Sequence, residues 1–193
     1  PTLDHVVFLT IDDGMVRDPA VLDFLEANHI PFSAFPTMGP VNEDPAFWQR
    51  VQSIGGTIEG HTLNHPDLFK TSAAQMRQEV CGPLDPFQTT FGRRPTLFRP
   101  PFGNSNAAVR STARQCGYRA VVLWMGSTNN GKLTMQEPGP LKPGDIILMH
   151  WRKDLLDNLH DVVARCQQDG FTIARLEDYL SPDPVAPPAR GTG

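Results

Sequence analysis

Short apolar runs and amphipathic helical segments alternate along nearly the whole chain, and that alternation leaves few folds open. Residues 5–9, His5-Val6-Val7-Phe8-Leu9, read as a buried strand. A helix over 18–28 follows, with Asp18 placed to cap it, Pro19 at its first position and Val21, Leu22 and Leu25 on one face. Strands over 30–35, 57–59, 95–98, 118–124, 145–149 and 171–174 then alternate with helices over 44–51, 71–91, 106–116 and 155–168. The helix over 71–91 is broken at Gly82-Pro83 and Pro86, and 126–144 reads as a polar, Gly- and Pro-rich loop. The pattern predicts a parallel sheet of about seven strands wrapped by helices, either a barrel or an open doubly wound sheet. No Gly-rich phosphate-binding spacing follows the first strand, which argues against nucleotide binding. The stretch 181–193, with Pro182, Pro184, Pro187 and Pro188, reads as a flexible tail behind one domain over 1–180.

A formal net charge of -4 gives no electrostatic case for nucleic acid or an anionic membrane. No apolar run approaches the roughly 18 residues that a spanning helix needs. The chain begins at Pro1 rather than Met, so a trimmed N-terminus is expected. Cys81, Cys116 and Cys166 lie far apart, which excludes a cysteine zinc site and a disulfide framework. One bridge with a leftover thiol, or three free thiols, fits equally, and the cysteines do not assign a compartment.

The chemistry-bearing residues gather at one place in the pattern. Asp12 and Asp13 sit where the first strand runs out into Gly14. Past a strand end two neighbouring side chains can turn to one site, and two close carboxylates call for a positive partner such as a metal ion. His61 and His65 are four apart, a metal-ligand spacing that predicts both imidazoles on one side of a helical turn. Two histidines and one carboxylate leave an open position, as catalytic zinc keeps for water. A non-haem iron centre uses the same set, although the alternating α/β pattern counts against it. Arg99, held extended by Pro100-Pro101, can pin a carboxylate. His150 ends the run Ile146-Ile147-Leu148-Met149, and reads either as a core histidine or as a site residue; Trp124 can floor a pocket. All of these fall at or just after the C-terminal end of a predicted strand, the rim on which barrel active sites sit.

Taken together, Thr10-Ile11-Asp12-Asp13-Gly14, His61-Thr62-Leu63-Asn64-His65-Pro66, Arg99-Pro100-Pro101-Phe102-Gly103, Trp124 and Leu148-Met149-His150 resemble, in order and spacing, the motifs of the polysaccharide deacetylases (carbohydrate esterase family 4, the NodB-homology domain). The resemblance covers residues 5–180. It implies a distorted (β/α) barrel with a divalent metal, usually zinc, with cobalt or another ion as alternatives. It further implies Asp13, His61 and His65 as ligands, Asp12 as general base held by Arg99, and His150 as general acid. The Phe102 backbone N–H would be an oxyanion donor and Trp124 would belong to the substrate pocket. The implied reaction removes acetyl groups from N-acetylated sugars of chitin oligomers or peptidoglycan, or from the acetyl esters of xylan. An extracellular or cell-wall location is expected, because such substrates lie there.

The fourth motif departs from the family. By spacing, an acidic residue that tunes the catalytic histidine is replaced by Asn130, and a second Trp by Gly131. A neutral Asn cannot stabilise an imidazolium, which predicts a lower pKa for His150 and a wider acyl pocket. Two alternative functions stand beside the deacetylase: a catalytically weakened relative that binds metal and glycan, which the altered motif favours, and a deacylase of small molecules, which a short chain with few extra loops suits.

Overall fold

The structure, a computed structural model, describes residues 2–180. The predicted tail over 181–193 lies outside the described residues. The central strand β1 (Val6–Asp13) is followed by α1 (Pro19–Ala27), β2 (Ser33–Pro36), α2 (Met38–Glu43), α3 (Pro45–Ser53) and β3 (Thr57–Ile58). Next come α4 (Ala73–Cys81), α5 (Leu84–Phe91), β4 (Leu97–Phe98), α6 (Ala107–Cys116) and β5 (Ala120–Val121). The chain continues through β6 (Gly126–Asn129), β7 (Lys132–Met135), β8 (Ile146–His150), α7 (Leu155–Asp169) and β9 (Thr172–Ala174).

Seven strands form one mixed sheet in the order β3-β2-β1-β8-β6-β7, with β9 also beside β1. Among the described residues only the β6–β7 pair is antiparallel. β4 and β5 form a second parallel pair, joined to the first sheet by a bridge from Gly60 to Phe98. This is the distorted barrel that the motifs implied. Alternation along β1 decides what faces where. Val7, Leu9 and Ile11 pack outward into the main core with residues of α1, α3 and α7, whereas Val6 and Phe8 face inward with Phe35, Leu97 and Val122. Thr10 and Asp12 continue that inward series, so the polar end of β1 opens at the C-terminal rim. β8 repeats the rule: Ile147 and Met149 join the outer core, and His150 is on the inward series with Leu148.

The structure differs from the sequence pattern in several places. β1 runs on through Asp12 and Asp13 rather than stopping at Leu9. The expected strands over 118–124 and 95–98 shrink to two residues each. The expected loop over 126–144 holds the hairpin β6–β7, turned at Asn130-Gly131 with φ of 50° and 71°. Asn-Gly is a favoured two-residue hairpin turn, because both positions need positive φ. α2 was not anticipated, since Pro40 in a six-residue helix gives little periodicity.

Cys81 and Cys116 form a disulfide that joins α4 to α6, and Cys166 is a buried free thiol. Disulfides persist in oxidising compartments, in line with an extracellular location. Among the described residues no helix is long and apolar enough to cross a membrane. The bridge spans a sequence separation of 35. Reduction, or Cys81→Ser with Cys116→Ser, is expected to lower the unfolding free energy by roughly 2–4 kcal/mol. Urea unfolding with and without reductant measures this, and an unchanged midpoint would contradict it.

Candidate metal centre

Asp12 is 3% exposed and points into the barrel mouth. Asp13 would face the other way in a regular strand, but its φ of 74° breaks the alternation and brings its carboxylate to the same site. The two histidines come from the segment after β3, which is not helical as the four-residue spacing had suggested. Thr62 and His65 have φ of 68° and 58°, and these two left-handed turns fold the loop so that both rings face Asp13. His61 Nε2 and His65 Nε2 each lie 3.5 Å from Asp13 Oδ1. One ligand atom from each of Asp13, His61 and His65 lies within 4.8 Å of the others.

The donor set fits a divalent cation. His61 Nδ1 lies 2.7 Å from the Arg99 carbonyl oxygen, which fixes the ring so that Nε2 faces the carboxylates. That Nε2 is buried and has no hydrogen-bond partner. A buried orphan nitrogen beside two carboxylates is costly unless something fills the space between them. Burial pushes Asp13 up, but the His61 imidazole beside it, with His150 and His65, more than reverses this and holds it below the ordinary range. Burial pulls His61 down; the charge of Asp12 and the Asp13 carboxylate outweigh it and raise the imidazole. His65 is lowered by burial and by His61.

Asp12 is held from behind. Arg99 is fully buried, and its Nη1 donates to Asp12 Oδ1 and to Thr10 Oγ1, each at 2.8 Å. Its Nε donates to the Val122 carbonyl at 3.2 Å, and its guanidinium lies over the Phe35 ring at 4.6 Å. Asp12 Oδ2 remains on the cavity side, 3.8 Å from His61 Nε2. The cavity measures about 390 Å³ and is lined by Asp12, Asp13, His61, His65, Phe102, Trp124 and His150, with Arg99 behind the wall. Phe102 has φ of 59° and a largely exposed ring set edge-on to His65 at 4.8 Å. Gly103 packs so tightly on Trp124 that an added Cβ would lie 2.7 Å from the indole. Gly103→Ala is therefore expected to displace Trp124 and disturb the cavity wall, read as altered Trp fluorescence and weaker substrate binding.

Ser127, Thr128, Asn129 and Arg152 also line the cavity and were not singled out from the sequence. Arg152 Nη2 lies 3.9 Å from Asp13 Oδ2. The positions of Ser127, Thr128 and Asn129 follow from the hairpin β6–β7, whereas Arg152 lies just past the end of β8. Asn130, which spacing had set against His150, is instead in the exposed hairpin turn, with its backbone N–H donating to Asp154 Oδ2 at 2.7 Å. His150 is lowered from its ordinary value, burial being the main cause, with Asp12 and Asp13 opposing it and Arg152 assisting it. Asn129→Asp is accordingly expected to raise the NMR titration midpoint of His150 more than Asn130→Asp does. Equal shifts would contradict this placement.

Residues 1–121 match the family described as polysaccharide deacetylase. A peptidoglycan-N-acetylglucosamine deacetylase of Bacillus cereus is 30% identical, over 93% of this chain and 90% of its own length. The peptidoglycan-N-acetylmuramic acid deacetylase PdaA of Bacillus subtilis is 26% identical, over 93% of this chain and 73% of its own. The structure of a family 4 carbohydrate esterase from Bacillus anthracis superposes with a TM-score of 0.76 at 23% identity, covering 92% of this chain and 83% of that one, a likeness of fold.

Proposed function

This chain belongs to the polysaccharide deacetylase family, and from that premise we propose that it is a metal-dependent hydrolase removing acetyl groups from N-acetylated sugars, with peptidoglycan the first candidate and chitin oligomers the second. The observation that carries the reading is the pairing of buried Asp12 with Arg99 beside the Asp13, His61 and His65 triad. A site that only bound a metal or a glycan would have no use for a separately held carboxylate 3.8 Å from the ligand cluster. The weakened-relative alternative rested on Asn130 and Gly131, which form a hairpin turn away from the cavity and so do not favour it.

Asp13, His61 and His65 would hold a divalent cation, zinc being the best match to this set, and the ion would supply Lewis acidity toward the acetyl carbonyl and acidify a water. Asp12 accepts the proton of the attacking water through Oδ2, while Arg99 and Thr10 fix Oδ1 and the carboxylate plane. His150, beside Asp12 on the neighbouring strand β8 and lining the cavity, gives a proton to the departing amine nitrogen as the C–N bond breaks. The Phe102 backbone N–H, set by its left-handed turn, donates to the oxygen on which negative charge develops. Trp124 walls the pocket against water.

The deciding test is acetate release from peptidoglycan fragments, chitin oligomers and acetylated xylan, each with zinc and with a chelator. Zinc-dependent release from an N-acetylated glycan is expected, and the best substrate names the class. No release from any glycan by zinc-loaded protein would overturn the proposal in favour of a small-molecule substrate.

A further inference from the structure

The loop that carries His61 and His65 has an expensive conformation. Two non-glycine residues, Thr62 and His65, are left-handed, and such a segment persists only where its surroundings over-determine it. The Thr62 hydroxyl accepts from the His65 N–H at 3.0 Å, which ties the two turns together but leaves Leu63 and Asn64 between them to be held. One side chain holds both. Glu79 Oε2 accepts from the Leu63 N–H at 3.1 Å and the Asn64 N–H at 2.9 Å, and Glu79 Oε1 accepts from Asn64 Nδ2 at 2.8 Å. The Glu79 backbone carbonyl also accepts from the Leu63 N–H, at 3.2 Å.

Glu79 is itself firmly placed. It lies in the last turn of α4, two residues before Cys81, whose bridge to Cys116 fixes that helix to α6. The next residue, Gly82, leaves room for Leu63, because a Cβ there would lie 2.5 Å from Leu63 Cδ1. A carboxylate receiving three N–H groups from one strained loop makes stronger hydrogen bonds than a neutral acceptor would. We infer that Glu79 is a positioning residue for the metal centre, holding the loop between His61 and His65 in the shape that aims both imidazoles at Asp13. The inference rests on the metal-centre reading. It assigns to Glu79 no contact with metal or substrate.

Zinc affinity measured by competition with a chromophoric chelator tests it, together with the visible spectrum of the cobalt(II)-substituted protein and the melting temperature of the metal-free protein. Glu79→Ala is expected to weaken zinc binding by roughly 10–100-fold, the usual range for groups that orient ligands, and to alter the cobalt spectrum. Glu79→Gln, which keeps an oxygen for the two backbone N–H groups, is expected to recover most of that loss. Zinc affinity within twofold of wild type in Glu79→Ala, or a fall in metal-free melting temperature with unchanged affinity, would overturn the inference. So would a Glu79→Gln variant as weak as Glu79→Ala at equal melting temperature, since the geometry would then not be what matters. If Glu79→Ala does not fold, Asn64→Ala decides: it removes the side-chain contact to Glu79 Oε1 and is expected to weaken zinc binding severalfold, and wild-type affinity in it overturns the inference. A wild-type protein that binds no zinc would instead sink the metal-centre reading, and the inference with it.

Discussion

Asp12→Asn is expected to lower acetate release by roughly 10²–10⁴-fold, the span of a lost general base, while zinc binding survives. The substitution is nearly isosteric. The amide oxygen can still accept from Arg99 Nη1, so the side chain should keep its place behind the cavity. What it loses is the capacity to take a proton. Asp12 is outside the three-residue cluster, although its Oδ2 comes within 3.8 Å of His61 Nε2. Fully buried Arg99 loses its counter-ion, and breaking one side of a buried pair can cost about 3–5 kcal/mol. Here the guanidinium keeps the Thr10 hydroxyl, the Val122 carbonyl and the Phe35 ring, so a smaller loss is expected. Melting temperature and zinc affinity must therefore be measured beside the rate. Activity within tenfold of wild type would remove Asp12 from the chemistry. A matched loss of zinc would move it into the ligand set.

The parts of this site that could be read from the sequence are those set by local pattern. The run ending at Asp12 is apolar and β-rich, and the depth of β1 in the sheet follows from it. Arg99 and His150 could be placed on the rim because each ends a short apolar run. Conformation at single residues was not readable. Nothing in the sequence says that Asp13, Thr62, His65 and Phe102 take positive φ, because non-glycine residues enter that region only when tertiary contacts hold them there. That is why the four-residue histidine spacing suggested a helix where a strained loop exists. The β6–β7 hairpin was the other loss. Its strands are four residues each, Gly126 and Ser127 weaken the β pattern, and the Asn130-Gly131 turn was read as part of a loop. Missing it set Asn130 against His150, when the hairpin brings Asn129 to the cavity instead. The disulfide depended on which helices the barrel packs side by side, which no cysteine spacing reveals.

His65→Ala is expected to weaken zinc binding by more than about 100-fold, beyond the effect of losing a group that only orients a ligand, and to take acetate release down with it. The His65 side chain is 30% exposed, so its removal leaves little buried void and the fold should persist. The pH dependence of zinc binding gives an independent check on the same site. The pKa of His61 in the metal-free protein is raised above 6.5 by Asp12 and Asp13 against the effect of burial. A histidine must be neutral to bind metal. Above that raised value no proton has to leave His61, and zinc affinity is insensitive to its titration. As pH falls through it, one proton must be displaced for each ion bound, and affinity is expected to drop about tenfold per pH unit. His65 is lowered, so it adds a second proton only at more acid pH. Calorimetry in buffers of different ionisation enthalpy counts the released protons directly. Close to one proton released per zinc in the window where His61 is charged and His65 is not would match the geometry. No proton release there would mean that zinc binds without His61 Nε2, and the orphan nitrogen would need another partner.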